Sequence, residues 1–168
     1  MANHGETLLE WLRDAHALER RGEHALRRQI ERIVNYPNVR TRVKEHLYET
    51  LEQRRLLEDC IKRLGGRPSR AKVAMGKAIA LGQSAVCALR PDEIVRTAIS
   101  NYAFKNMEIA MYMSVIAAAE ASGDKETLRV CEQILRKEQA MATCMLQHLD
   151  ELNEEFLLRD AAGLEVKG

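Results

Sequence analysis

Four glutamates stand near the middle of long amphipathic segments, each on the face that we predict to be buried. They are Glu19, Glu49, Glu108 and Glu138. A buried carboxylate is destabilising by several kcal/mol unless it is paired, protonated or bound to a metal. Four such groups at similar heights in one helical bundle need a common explanation, and a shared metal site is the simplest one.

Histidine and amide side chains lie on the same helical stripes. His46 precedes Glu49 by three residues and His16 precedes Glu19 by three, so each pair shares one helix face. Carboxylate oxygens combined with a few imidazole nitrogens suit iron or manganese. We predict a site for one of these metals, with a di-metal centre as its fullest form. The predicted ligands are Glu19, Glu49, Glu108, Glu138, His46 and Gln53. Gln53 also fits a polar core partner, and His16 fits a boundary residue.

The second half of the chain predicts two level glutamates. Glu108 and Glu138 are equally far from Gly123 along the chain, the first before it and the second after it. If Gly123 marks a tight turn between antiparallel helices, the two carboxyl groups face each other. Tyr102 and Tyr112 can approach the same layer with their hydroxyl groups, although ordinary packing is the favoured interpretation of both.

The first half of the chain predicts a pair of glutamates whose heights in the bundle are less equal. Glu19 precedes Tyr36 by a longer stretch of chain than the stretch by which Glu49 follows it. The difference is about one helical turn, and a slightly different turn centre reduces it to a few ångströms along the helices. Glu23 fits the same height as well as Glu19 does.

Apolar spacing of three and four residues runs through the whole chain, and no convincing strand pattern interrupts it. Helices are predicted over about 6–34, 38–64, 91–121 and 124–158, and residues 67–90 form a long crossover with a shorter helix. Tight turns within each half make two antiparallel hairpins, and their connection is that of an all-α, ferritin-like four-helix bundle. We expect one domain over residues 1–168, with a core over about 6–158 and a flexible tail over 159–168.

The bulk composition excludes several classes of function. Lys plus Arg number 26 against 25 Asp plus Glu, so no basic surface predicts binding to nucleic acid. The longest apolar run, Ile109 to Ala119, is shorter than the roughly 20 residues that span a bilayer. The first eleven residues lack a signal-peptide pattern, so we expect a soluble, cytoplasmic protein. Phosphate loops, nucleophile elbows and Cys-x-x-Cys pairs are absent, and enzymatic activity stays undecided.

Two segments resemble a known family. The segment from His46 to Thr50 reads His-Leu-Tyr-Glu-Thr and is followed by Gln53, which resembles the His-Leu-x-Glu-Thr-x-x-Gln motif of YciE/YciF-type ferritin-like stress proteins. The segment from Glu108 to Tyr112 resembles that family's Glu-Ile-Ala-x-Tyr segment. The similarity runs from about Thr7 to Leu152. It implies a ferritin-like bundle, often dimeric, with a di-metal centre and an association with bacterial stress responses. The biochemical activity of the family is poorly defined.

The sequence departs from that pattern at the proposed centre. It contains no Glu-x-x-His motif, which the better-known ferritin-like enzymes carry on two helices. Where the family often has Glu-His-x-Glu, this chain has Lys-Asn-Met-Glu from Lys105 to Glu108, and the Lys105 ammonium can replace a metal charge in the acidic layer.

Three functions follow from these patterns. The first is a di-iron, di-manganese or mixed centre that handles oxygen or peroxide or that buffers metal. The second is a non-catalytic structural or interaction bundle, a homodimer, whose carboxylates are neutralised by Lys105 or by protons. The third, mineral storage, requires a closed cage of many copies.

Overall fold

The computed structural model describes residues 3–69 and 92–166. This part of the chain is helical, and its four long helices are α1 (His4–Arg32), α2 (Pro37–Arg63), α3 (Glu93–Ser122) and α4 (Lys125–Ala161). Their ends lie within a few residues of the predicted ones. The predicted crossover helix lies outside the described residues. Among the described helices, none combines the length and apolarity needed to cross a membrane.

Local signals in the sequence determine where the helices begin and end. The Asn3 side chain accepts a hydrogen bond from the Glu6 backbone amide at the start of α1, and Asp124 accepts one from Thr127 at the start of α4. Pro37 begins α2, where its missing N–H has no consequence. Gly123 adopts a φ of 73°, the left-handed geometry that ends α3 and allows the tight turn into α4.

The helices pack in a ring in which α1 contacts α2 and α3, and α4 contacts α3 and α2. Ion pairs fix the directions. Arg32 at the end of α1 pairs with Glu93 at the start of α3, and Arg63 at the end of α2 pairs with Asp124 before α4. The end of α2 and the start of α3 therefore lie at opposite ends of the bundle. This is the two-hairpin connectivity of ferritin-like bundles, as predicted.

Two apolar clusters fill the bundle, one on each side of a polar layer. The larger cluster lies near the start of α1 and the end of α2, and it includes Leu12, Leu57 and Val115, all fully buried. The smaller one lies near the turn between α1 and α2 and is built around Tyr36 and Leu152. The polar layer thus separates two cores, and its groups are removed from water on both sides.

The last described residues fold back on the bundle. Helix α4 continues to Ala161, past the predicted start of the flexible tail. Beyond it, the Tyr36 hydroxyl donates a hydrogen bond to the Val166 carbonyl at 3.1 Å, and the Arg159 guanidinium lies over the Tyr36 ring. These contacts hold the start of the predicted tail against the smaller core.

Candidate functional site

A buried lysine lies at the centre of the polar layer. Lys105 is 1% exposed, and its Nζ lies 2.5 Å from Glu138 Oε2 and 2.7 Å from Glu108 Oε2. Both carboxyl groups are buried as well, and Gln53 Nε2 donates a hydrogen bond of 2.7 Å to Glu138 Oε1. The level positions predicted for Glu108 and Glu138 therefore bring both carboxyl groups to one ammonium.

Glu19 reaches the same layer from α1. It is fully buried, and the Tyr112 hydroxyl donates to its Oε1 at 2.5 Å, while its Oε2 has no hydrogen-bond partner among the described residues. Glu23, which fitted the predicted height equally well, lies one turn away among arginines, with Arg54 at 2.7 Å. Glu19 lies at the centre of the buried stripe of α1 and Glu23 lies at its edge, so only Glu19 faces the interior.

Two predicted ligands on α2 lie apart from this network. Glu49 is only partly buried, in contrast to the prediction of a buried face, because it lies at the edge of the buried stripe of α2. Gln53, one turn further along α2, lies in the polar layer at the position predicted for Glu49. His46 is buried at 7% exposure, and it forms no hydrogen bond with any described residue.

His16 does not face the carboxylate layer. It is buried, although the sequence favoured a boundary position, and its Nε2 lies 3.0 Å from Glu58 Oε1 on α2. Burial lowers the pKa of His16 below its ordinary value, against the opposing influence of Glu58. The residue links α1 to α2 and makes no contact with the layer.

Burial dominates the electrostatics of the acids. The pKa of Glu108 is raised to about 8, mainly by loss of hydration, with Lys105 opposing the rise and Glu138 adding to it. Burial also raises the pKa of Glu19 well above its ordinary value, with added repulsion from Glu108 and Glu138. Burial therefore favours the protonated form of both acids.

The lysine carries the positive charge of the layer. Burial alone would lower the pKa of Lys105, but Glu108, Glu138 and Glu19 outweigh it and raise the pKa above the ordinary value. The layer therefore contains a cation of its own, in contact with Glu108 and Glu138.

The donor set fits this ammonium better than two metal dications. Within residues 3–69 and 92–166, no three His, Cys, Asp or Glu side chains come together as a group that could hold a metal ion. The space between Glu108 and Glu138, where a bridged metal pair would lie, contains Lys105 Nζ. A dication there would meet a fixed positive charge a few ångströms away. As arranged, the residues do not fit a two-metal centre.

Tyr112 is the contact that sequence reasoning undervalued. Its spacing allowed it to reach the layer, but ordinary packing was the favoured interpretation. In the structure it is fully buried and is the hydrogen-bond donor to Glu19. The available signal was its position four residues after Glu108, which puts both side chains on one helix face.

Fold and site together define a ferritin-like four-helix bundle with a buried, charge-compensated carboxylate layer. The chain belongs to the family described as a domain of unknown function, DUF892, whose profile matches residues 3–158. This confirms the resemblance found in the motifs.

Two solved structures are similar to this chain. A protein from Xanthomonas campestris pv. campestris is 30% identical with a TM-score of 0.81, and the match covers 95% of this chain and 99% of that one. YcfI from Rhodopseudomonas palustris, described as "a putative structural protein", is 27% identical with a TM-score of 0.71, covering 86% of this chain and 94% of that one. These matches support the all-helical bundle and its family.

Proposed function

We propose that this protein is a metal-independent helical scaffold, in which Lys105 supplies the positive charge that a metal would supply in a ferritin-like centre. One observation carries the proposal: Lys105 Nζ lies within 2.7 Å of both Glu108 and Glu138, in the dry interior. The description of YcfI as "a putative structural protein" agrees with it. Catalysis is not part of this proposal.

The scaffold role needs a partner surface, and the outer face of α3 offers one. Between Thr97 and Ala119 the only charged residues are Lys105 and Glu108, and both are buried. The outward face is therefore uncharged, and Met113 on it is 58% exposed. Uncharged exposed helix faces of this kind are typical of protein contacts.

A second copy of the chain is the partner that this face fits best. A two-fold contact brings a surface against itself, so a charged surface would repel its own copy and an uncharged one does not. Exposed Ile99 and Met113 alternate along α3 with alanines such as Ala103, Ala110 and Ala117, so large side chains of one copy can pack over small ones of the other. A homodimer through α3 is part of the proposal.

Metal binding is the second candidate, and specific atoms favour it. Glu19 Oε2 and Gln53 Oε1 are buried and lack hydrogen-bond partners among the described residues, and they belong to the same layer as Glu108 and Glu138. A single iron or manganese ion could bind such oxygens if protons left the carboxyl groups. Oxygen or peroxide handling would depend on this ion, and the stress-response association and cytoplasmic location stay predictions.

Metal analysis separates the two candidates. The purified protein is reconstituted anaerobically with Fe²⁺ or Mn²⁺ and desalted, and its metal content is measured. We expect less than about a tenth of an equivalent for the wild type, because binding would require proton loss beside Lys105. The variant Lys105→Met removes the ammonium at similar length and should gain metal. Lys137→Met, which removes a surface lysine paired with Glu52, is the matched control and should gain none.

Stoichiometric metal in the wild type would contradict the proposal and favour the metal centre. The mass of the protein in solution tests the partner surface separately. We expect a dimer for the wild type and a monomer for Met113→Lys, with an unchanged helical signal. Leu157→Lys places the same charge at an exposed position of α4 and should stay dimeric. A wild-type monomer would contradict self-association, and a cage of many copies would favour mineral storage.

A further inference from the structure

The bundle contains unfilled space on the side of the layer that faces the turn between α1 and α2. One cavity of about 80 Å³ lies between α1 and α3 and reaches Glu108. A second of about 160 Å³ opens between α2 and α4. Leu26, His46 and Asn101 line both cavities, so the two meet at these residues.

Apolar surface predominates in the second cavity, although Arg42, His148, Glu151 and Glu155 also line it. All four helices contribute to its wall, and its apolar side chains include Val39, Val43, Met141 and Met145, which are only partly buried. This space lies between the polar layer and the smaller core, and α2 and α4 beside it are the least closely packed pair of neighbouring helices. Protein interiors are normally close-packed, so unfilled space of this size can hold a bound molecule.

One polar group in the wall has no partner among the described residues. His46 is buried, and none of them forms a hydrogen bond with it, whereas Asn101 beside it bonds to Gln29 at 2.9 Å. Burial, with a smaller contribution from Lys105, lowers the pKa of His46 to about 3, so its ring is neutral. A neutral imidazole offers one donor and one acceptor nitrogen. The ring nitrogens of His46 stay accessible, so a hydroxyl group in the cavity can form a hydrogen bond with one of them.

We propose that the second cavity binds a small, neutral aromatic alcohol of the phenol class, with its ring among the apolar side chains and its hydroxyl on His46. The size agrees, because an engineered apolar cavity of about 150 Å³ is known to bind benzene. Methionine sulfur makes favourable contacts with aromatic ring edges, and Met141 and Met145 stand in the wall. A charged ligand would gain no opposite charge from the neutral His46, and Arg42, Glu151 and Glu155 in the wall carry charges of both signs.

Calorimetric titration with phenol and with benzene tests this proposal. The full chain is titrated in the presence of a chelator, so that no metal ion can mediate binding. We expect one saturable site that prefers phenol over benzene by about tenfold, the effect of one hydrogen bond in a buried place. The variant His46→Phe keeps an apolar wall and removes the hydrogen bond, so phenol should lose its preference.

A pair of phenylalanine variants on α4 checks the location. Cys144→Phe fills the cavity and should abolish binding of both compounds, whereas Leu146→Phe, at an exposed position two residues away, should leave binding unchanged. Met141→Phe serves as a second filling variant, and circular dichroism confirms that each variant folds. The proposal is overturned if phenol does not saturate, if both filling variants bind it normally, or if His46→Phe keeps the preference.

Discussion

Replacing Glu108 by glutamine tests whether this carboxyl group is protonated in the native state. Glutamine has nearly the shape of a protonated glutamate, and its oxygen can still accept from Lys105. Burial raises the pKa of Glu108 from 4.5 to about 8 in the folded protein. The folded state therefore binds a proton that the unfolded state releases above pH 4.5, and stability must fall as pH rises through this window.

The magnitude follows from the shift. At 1.36 kcal/mol per pKa unit, the Glu108 contribution to the free energy of unfolding falls by roughly 3–4 kcal/mol between about pH 5 and pH 8. Glu108→Gln carries no titrating group at this position and lacks this loss. The pKa of Lys105 is raised, so its stabilising contribution is fully present below its unfolded pKa and does not change within this range.

Urea unfolding followed by circular dichroism at several pH values measures the effect. The free energy of unfolding of the wild type minus that of Glu108→Gln should decrease by roughly 3–4 kcal/mol from pH 5 to pH 8. Taking this difference removes the part of the Glu19 contribution that does not depend on Glu108. Glu154→Gln changes an exposed carboxylate and should follow the wild type. If the difference between the wild type and Glu108→Gln stays constant with pH, Glu108 is ionised in the native protein and the account of the layer is wrong.

Three further substitutions probe the layer and its surroundings. Lys105→Met leaves buried carboxyl groups without a cation and should destabilise the fold by about 3–5 kcal/mol, more at high pH than at low pH; equal stability in urea would contradict the central ion pair. Tyr112→Phe removes the donor to Glu19 and should lower the free energy of unfolding by about 1–3 kcal/mol, a loss that a bystander tyrosine would not give. Gly22→Ala should raise the melting temperature by stabilising α1 by about 0.5–1 kcal/mol, because the added methyl group would lie 3.4 Å from Phe104 and 3.5 Å from Glu108 Oε1, both at contact distance without overlap; a lower melting temperature would refute this.

The sequence predicted the secondary structure and the connectivity well. Helix boundaries follow from local chemistry: Pro37 begins α2 and Gly123 ends α3 in the left-handed geometry. Apolar spacing of three and four residues determines which face of each helix is buried. The level positions of Glu108 and Glu138 follow from counting residues on either side of one tight turn. The sequence could therefore predict that both carboxyl groups contact a single buried group.

The rotations and axial shifts of the helices relative to one another determine the remaining features of the site. Glu19 and Glu23 differ by one turn, and only the rotation of α1 against α3 determines that Glu19 meets Tyr112. Glu49 lies at the edge of the buried stripe of α2, where a small change in rotation separates a ligand position from a partly exposed one. A spacing of three or four residues does not fix such rotations or the axial shift between neighbouring helices.

The amino-acid sequence by itself determined an all-helical, ferritin-like bundle with acidic side chains at its centre, because helix formation, capping and amphipathic spacing are local properties of the chain. It also offered Lys105 as one way to balance those acids. Only the tertiary structure decided that the lysine ammonium lies between Glu108 and Glu138, and that His46 faces unfilled space instead of them. The physical reason is that ion pairing and cavity formation depend on distances of a few ångströms between residues far apart in the chain, and packing of the whole bundle sets those distances.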